Sequence, residues 1–540
     1  MRTLGLLLII PLLGATIAAF ALWEDKSGNL VTSLNTGWGD QLVHVRAAIF
    51  FAEQGGWPRE SFFLAGEPVG YAFLADLVSA WLWRSGLSLA QAFAWPTMIL
   101  AGGLLLGTEI LTYYFTRSRA AAILSATLFL TFGGLSGWPA LAEIAAADVS
   151  SLQALRDLPH GLTAWGERGY VILNPFVTML HQRSFLVGWP VFLLLLYSTA
   201  KLLQRPAAHR ALLVIALALL LTLAHPFTAL AFLFILPSWV AWTLILRIRR
   251  YSLPTLGLLL GTFALSAAGS FLILKTLQPA ASSSLITWQP GWLAPGASWP
   301  LLWLKNIGLY VLLAPLALLS LVRRNRPLAA LMLATLTPFI AANLFKFAPW
   351  DWDNNKLFFS TWLGLTMATA AAGADVLRHQ QRWLPATSLV AGLLLLTLTL
   401  SGGLENLRVL AYRSAPTGIS TPAHHHLGET VRSLTDPRAI LLTAPAAHNP
   451  VFLFSGRPSL VAYEGWLWSN GWGGRFEERI LDTKAIYAGA PTAAALLQKY
   501  SIQYVAIGPP EMALGANREW FNQNYTSILQ EADTTVYATK

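Results

Sequence analysis

A carboxylate, an imidazole and a guanidinium, those of Asp40, His44 and Arg46, fall within one short polar stretch that follows a hydrophobic N-terminal run. A helix started at Asp40 puts His44 four residues on and on the same face. Such a pair suits general acid–base work, and Arg46 beside it suits an anion. Asp40 comes after Gly37-Trp38-Gly39, so it also suits a helix N-cap, and the two roles are compatible. Glu67 and Tyr71 follow in the segment Gly66-Glu67-Pro68-Val69-Gly70-Tyr71.

Three further places add candidates. Glu143 follows the Gly137-Trp138-Pro139 exit from an apolar run, where it serves as a second acid or a metal ligand beside Asp40. Arg183 opens another apolar run and either holds a lipid phosphate or snorkels to the interface. The segment 346–356 carries Asp351 and Asp353, hard-oxygen ligands for a divalent cation such as Mg or Mn. Lys356 is placed there to meet a phosphate. A solvated turn with an aspartate capping the next helix explains the same pattern. His424-His425-His426 is a poor metal site, because three adjacent imidazoles cannot face one ion in a regular element. The run Tyr463 to Trp472 offers flat aromatic faces for sugar rings or for packing on a membrane domain.

What must position these groups is a membrane. The 540 residues are 55% hydrophobic and 11% charged, against roughly 25% charged in soluble domains. Apolar runs of spanning length lie at about 4–23, 92–115, 120–136, 184–203, 210–224, 227–246, 254–274, 301–322, 328–345, 357–376 and 384–401. The sequence therefore predicts a polytopic α-helical membrane protein with about eleven spans. The first run is read as an uncleaved span, although Ala18-Ala19-Phe20-Ala21 resembles a cleavage site. Basic residues sit in alternate short connections, which the positive-inside rule places in the cytoplasm. That accounts for the net charge of +10 as topology and argues against a nucleic-acid partner. The expected home is the cell inner membrane, with the N-terminus cytoplasmic and the outer loops 24–91 and 137–183 outside. The run 71–84 is too short to span and reads as an interfacial or half-inserted helix.

Residues 1–401 form the expected transmembrane domain and 402–540 a small extracytoplasmic α/β domain. Strand-like runs at 438–443, 459–463 and 502–507 alternate there with helical stretches near 474–488 and 491–500. With no cysteine in the chain, neither a disulfide nor a cysteine nucleophile is available.

This arrangement resembles the GT-C superfamily of integral membrane glycosyltransferases, which includes protein mannosyltransferases, the lipid A aminoarabinose transferase and oligosaccharyltransferase catalytic subunits. Gly39-Asp40 with His44 is similar to the family's first-loop acid, and Gly66 to Tyr71 to the segment leading back into the membrane. Glu143 lies where the second-loop acid would fall. The Trp-Trp-Asp signature of oligosaccharyltransferases is missing, as is an Asp-x-Asp in the first loop. The resemblance implies an inverting transfer of sugar from a polyprenyl-phosphate carrier to a glycan, lipid or protein acceptor at the outer face. It casts Asp40 as general base assisted by Glu143, with Arg183 and Lys356 binding phosphate. A lipid or glycan transporter or flippase, lining its path with the same outer acids, is the rival reading, and a non-catalytic assembly factor is a third.

Overall fold

Caps and prolines set where the apolar runs become helices. The computed structural model describes residues 8–34, 37–56, 60–70, 72–158, 162, 174–277, 286–293, 298–348, 351–379 and 385–539. Ser88 and Gln91 cap each other reciprocally at the start of Leu89–Thr116. Asn174, His225 and Asn325 each accept a backbone N–H at the head of a helix that has proline in its first two positions. His225-Pro226 thereby divides Ala208–Ala224 from Pro226–Ile245.

Among the described residues seven helices are long and apolar enough to cross a bilayer. An eighth candidate is a pair, Trp299–Ile307 and Tyr310–Arg324, bent by 81°. The bend passes through Gly308 at φ +57, a left-handed conformation that glycine adopts without strain. Ile9–Ala18, Arg119–Leu130 and Ala208–Ala224 are shorter apolar helices. The apolar runs read from the sequence overlap helices, but seven or eight candidate spans stand among the described residues against the eleven expected; the chain is a multi-span membrane protein. In the bundle interior Phe132 stacks between Tyr310 and Trp362, with ring centroids at 4.8 and 5.0 Å.

The basic connections meet at one end of the bundle. There Tyr114 donates to Gln204 at 2.7 Å, Asn325 to the Phe115 carbonyl at 2.9 Å and Tyr251 to the Leu203 carbonyl at 2.8 Å. The other end carries Gly37–Glu53, Leu74–Arg84 and the start of Arg183–Gln204. Leu74–Arg84 is an 11-residue helix, short of a span, packed on Gly37–Glu53 and Leu89–Thr116.

Among the described residues nine short strands form three sheets. β1 (Trp23–Glu24) and β2 (Leu30–Thr32) pair antiparallel, and β2 takes β5 (Thr417–Ser420) on its other edge, with Val31 opposite Gly418. β3 (Thr287–Trp288) pairs with β4 (Phe345–Lys346). The C-terminal sheet runs β6 (Ile440–Leu442), β7 (Ile502–Ile507), β9 (Thr534–Ala538), β8 (Thr526–Glu531). β6 and β7 are parallel and the rest antiparallel, with helices Glu477–Tyr487 and Ala493–Lys499 between β6 and β7 in the chain. The run 459–463 departs from expectation. Apart from one bridge of Ser459 to Leu441, it lies along the first outer loop, with Ala65 N–H to the Ser459 carbonyl and Ala462 N–H to the Phe63 carbonyl, both 2.9 Å. The β8–β9 hairpin is an addition that the sequence reading lacked.

First loop and C-terminal region share one apolar core. Phe50, Phe51, Phe62 and Phe63 are fully buried and cluster with Phe452 and Trp466. Burying one such ring is worth about 1.5–3 kcal/mol. Gly70, at φ +63, lies flat against the Trp472 ring, where any Cβ would collide with the indole.

Candidate active site

Asp40 occupies the first turn of Gly37–Glu53. The helix starts at Gly37, so Asp40 lies inside the turn instead of at the cap, and the helix dipole favours its negative charge. Its fate differs from that of every neighbouring acid. Glu53 pairs with Arg457 at 3.4 Å and Arg432 at 3.6 Å. Glu60 accepts the Gly66 N–H at 3.1 Å. Glu67 pairs with Arg475 at 3.2 Å and Arg479 at 3.3 Å. Asp76 is held by His44 and Arg183. Among the described residues the Asp40 carboxylate has no side-chain hydrogen bond or ion pair, and it keeps part of its surface accessible though protein crowds it.

The charges facing Asp40 come from three outer segments. Burial pushes its pKa above the ordinary carboxylate range, with Asp353 adding to the rise, while His181, His44 and Lys356 pull it back. His181 closes the helix Pro175–His181 in the second outer loop, with its Nδ1 at 2.9 Å from the Val177 carbonyl. Lys356 donates to Asp353 at 2.5 Å and lies 5.3 Å from the Phe227 ring centroid. It also reaches His225, whose pKa is driven well below the usual range, first by burial and then by that ammonium. Segments 24–91, 137–183 and 346–356 therefore supply one electrostatic cluster.

His44 and Arg183 have a different place from the one their types suggested. His44 Nδ1 lies 2.9 and 3.0 Å from the two Asp76 oxygens, and its Nε2 accepts the Arg183 backbone N–H at 3.2 Å. This pattern puts the proton on Nδ1 and leaves neither nitrogen directed at a substrate. The Arg183 guanidinium donates to Asp76 at 3.3 Å and Ser79 at 2.7 Å, and stacks 4.1 Å over Phe93. All of these groups are buried. They clamp three helix ends together, which corrects the assignments of His44 to proton transfer and Arg183 to a lipid phosphate.

Arg46 and Glu67 are corrected in the same way. Arg46 is fully buried, donates to the Arg457 carbonyl at 2.5 Å and lies 4.3 Å over Phe452. Burial, with Arg457 adding, pushes its pKa down to about 9, so it stays charged at neutral pH. Glu67 joins the loop to the C-terminal region through half-exposed pairs. Such pairs contribute about 0–1 kcal/mol each, less than one buried ring of the adjoining core. Glu67→Gln is therefore expected to lower thermal stability only slightly and leave KM unchanged, which melting curves and steady-state kinetics on one preparation check.

Glu143 lies on Gly137–Ala146, a helix packed against Pro385–Ala411. Glu405, on Pro385–Ala411 itself, also lies in the field of His181; the sequence reading ended the last span at 401 and left this acid in the C-terminal domain without a role. Tyr71 and the Asp351 side chain lie outside what is described. Among the described residues no three His, Asp or Glu side chains converge on a possible metal position.

A multi-span bundle joined through its first loop to a C-terminal α/β region is a fold that solved membrane glycosyltransferase structures share. One solved structure it matches end to end is ArnT from Cupriavidus metallidurans bound to undecaprenyl phosphate, with a TM-score of 0.51, 12% identity, and 100% of this chain and 97% of that one covered. At that identity the likeness is one of fold. The archaeal oligosaccharyltransferase AglB from Archaeoglobus fulgidus, in complex with an inhibitory peptide and a dolichol-phosphate, is a looser match, with a TM-score of 0.45, 12% identity, and 100% and 74% of the two chains covered. No protein-family model and no curated protein matches the sequence.

Proposed function

We propose that this protein transfers a sugar from a polyprenyl-phosphate carrier to an acceptor hydroxyl on a glycan, lipid or protein at the outer face of the inner membrane. The observation that carries the proposal is Asp40, a first-loop carboxylate without an internal partner among the described residues, in the field of His181 and Lys356. The acceptor oxygen attacks the anomeric carbon with inversion, its proton passes to the Asp40 carboxylate, and the bond from that carbon to the phosphate oxygen breaks. Lys356 faces the charge that develops on the leaving phosphate. Arg183 supports the site from behind by fixing the helix that follows His181. Titrating the purified enzyme with a chelator reads whether transfer depends on a divalent cation, for which Asp353 would supply a hard oxygen.

The direct test is turnover of a polyprenyl-phosphate sugar by full-length protein in detergent, read as release of the free polyprenyl phosphate. Lys356→Gln is expected to slow that release by about 10²-fold, the order seen when one preorganised donor to a developing anion is lost. An unchanged rate removes Lys356 from the leaving-group role. One feature favours the transport reading: Glu109 is buried within Leu89–Thr116, and among the described residues its carboxylate oxygens have no hydrogen-bond partner. Lipid movement across proteoliposomes in the absence of acceptor, abolished by Glu109→Gln, would support that reading over transfer.

A further inference from the structure

At the bundle end opposite Asp40, arginines from three helices turn toward one cleft of about 620 Å³. Arg247 follows Pro226–Ile245, Arg323 and Arg324 end Tyr310–Arg324, and Arg326 begins Arg326–Leu344. Phe115, Ile248 and Pro327 supply apolar walls beside them.

Topology alone asks only that this end be basic, and two of its other cations settle on aromatic rings. Arg117 stacks on Tyr113 and Tyr114 at 6.0 and 5.7 Å, and Lys201 lies 4.8 Å from Tyr114. The cleft differs. Among the described residues, the Arg247 and Arg323 head groups have no ion pair, side-chain hydrogen bond or ring contact. Arg324 reaches only Asp375, at 3.8 Å. Asp375 is also the sole acid in the sequence of the connections 116–119, 203–210, 246–253, 323–327 and 375–385, so no other loop carboxylate is available at this end. Arg247 holds a left-handed backbone, φ +51, which a side-chain-bearing residue adopts at a cost and which here ends the helix at the cleft wall. Asn325 braces the floor, donating to the Phe115 carbonyl at 2.9 Å and accepting the Leu328 N–H at 3.2 Å.

We propose that this cleft binds the phosphate-bearing headgroup of an anionic phospholipid in the leaflet that the positive-inside rule assigns to the cytoplasm. Arg247 and Arg323 take the phosphate, and the apolar wall takes the start of the acyl chains. Converging guanidinium groups match phosphate oxygens in charge and geometry, and basic pockets between membrane helices are recognised lipid sites. The proposal stands apart from the transfer reaction and does not depend on it.

The test uses full-length protein in phosphatidylcholine nanodiscs, with phosphatidylglycerol added stepwise and the melting temperature read at each step. Wild type is expected to melt higher as phosphatidylglycerol rises. Arg247→Gln with Arg323→Gln is expected to need roughly thirtyfold more lipid for the same shift, about fivefold per arginine. Arg249→Gln with Arg250→Gln removes the same charge, outside the cleft, from the connection that holds Arg247, and is expected to need only a small part of that extra lipid. Equal melting of all three in phosphatidylcholine alone shows that they fold. Absence of a shift in wild type, an equal loss in the 249/250 variant, or the same shift with millimolar inorganic phosphate each overturns the proposal, the last by assigning the cleft to free phosphate.

Discussion

Asp40→Asn is expected to reduce sugar transfer by about 10²–10⁴-fold, the usual contribution of a positioned general base, while leaving the melting temperature nearly unchanged. Both halves are needed. Asn has the shape of Asp, so substrate still fits, but it cannot accept the acceptor's proton. Its effect on folding is small because the negative charge gained only about 0.3–1 kcal/mol from the helix N-terminus, and burial opposes that charge. The pH profile gives an independent reading. A base must be ionised to act, and burial raises the Asp40 pKa. Transfer should therefore fall as pH drops through a value above the ordinary aspartate range, and that acid limb should vanish in the Asn variant. A profile in which the residual Asn activity keeps the same acid limb would assign the titrating group to another residue, Glu405 and Glu143 being the next to examine.

How far the sequence could lead is clearest from the polar stretch that holds Asp40. Its position after a first span and before the next followed from hydropathy, because a bilayer fixes the length of whatever crosses it. What each charge does there did not follow. His44 meets Asp76, 32 residues away, while Arg46 meets the Arg457 carbonyl 411 residues away and Glu67 meets Arg479 at a separation of 412. Charges adjacent in sequence are parcelled out to different elements, and side-chain type carries no information about that destination. Glu405 was missed for another reason: hydropathy falls after 401, so the acid read as the start of the C-terminal domain, whereas the helix continues to Ala411 and brings it into the field of His181. The C-terminal strands at 440–442 and 502–507 were legible from β-branched and apolar runs. The 459–463 run was legible as extended chain, but its partner, the first outer loop, could be found only in three dimensions.

The clamp behind Asp40 yields the largest expected loss of stability. Asp76 pairs with Arg183 at 3.3 Å, and both side chains are almost fully buried. Asp76→Asn keeps an oxygen for the His44 Nδ1–H but strands a buried guanidinium, for which the expected cost is about 3–5 kcal/mol. Arg183→Met in the same chain removes the stranded charge, leaves the Ser79 hydroxyl bonded to the Ala92 carbonyl, and should restore most of the loss, as apolar replacements of buried pairs commonly do. Transfer should respond differently from stability. The His44 Nε2 bond to the Arg183 N–H sets how the Arg183–Gln204 helix meets the Gly37–Glu53 helix, and hence how His181 faces Asp40. The double variant, with that bond intact, should recover transfer together with its fold. Recovery of the melting temperature without recovery of transfer would instead give the Arg183 charge a direct part in the reaction, and failure of the double variant to refold would show that shape, not charge, is what the clamp supplies.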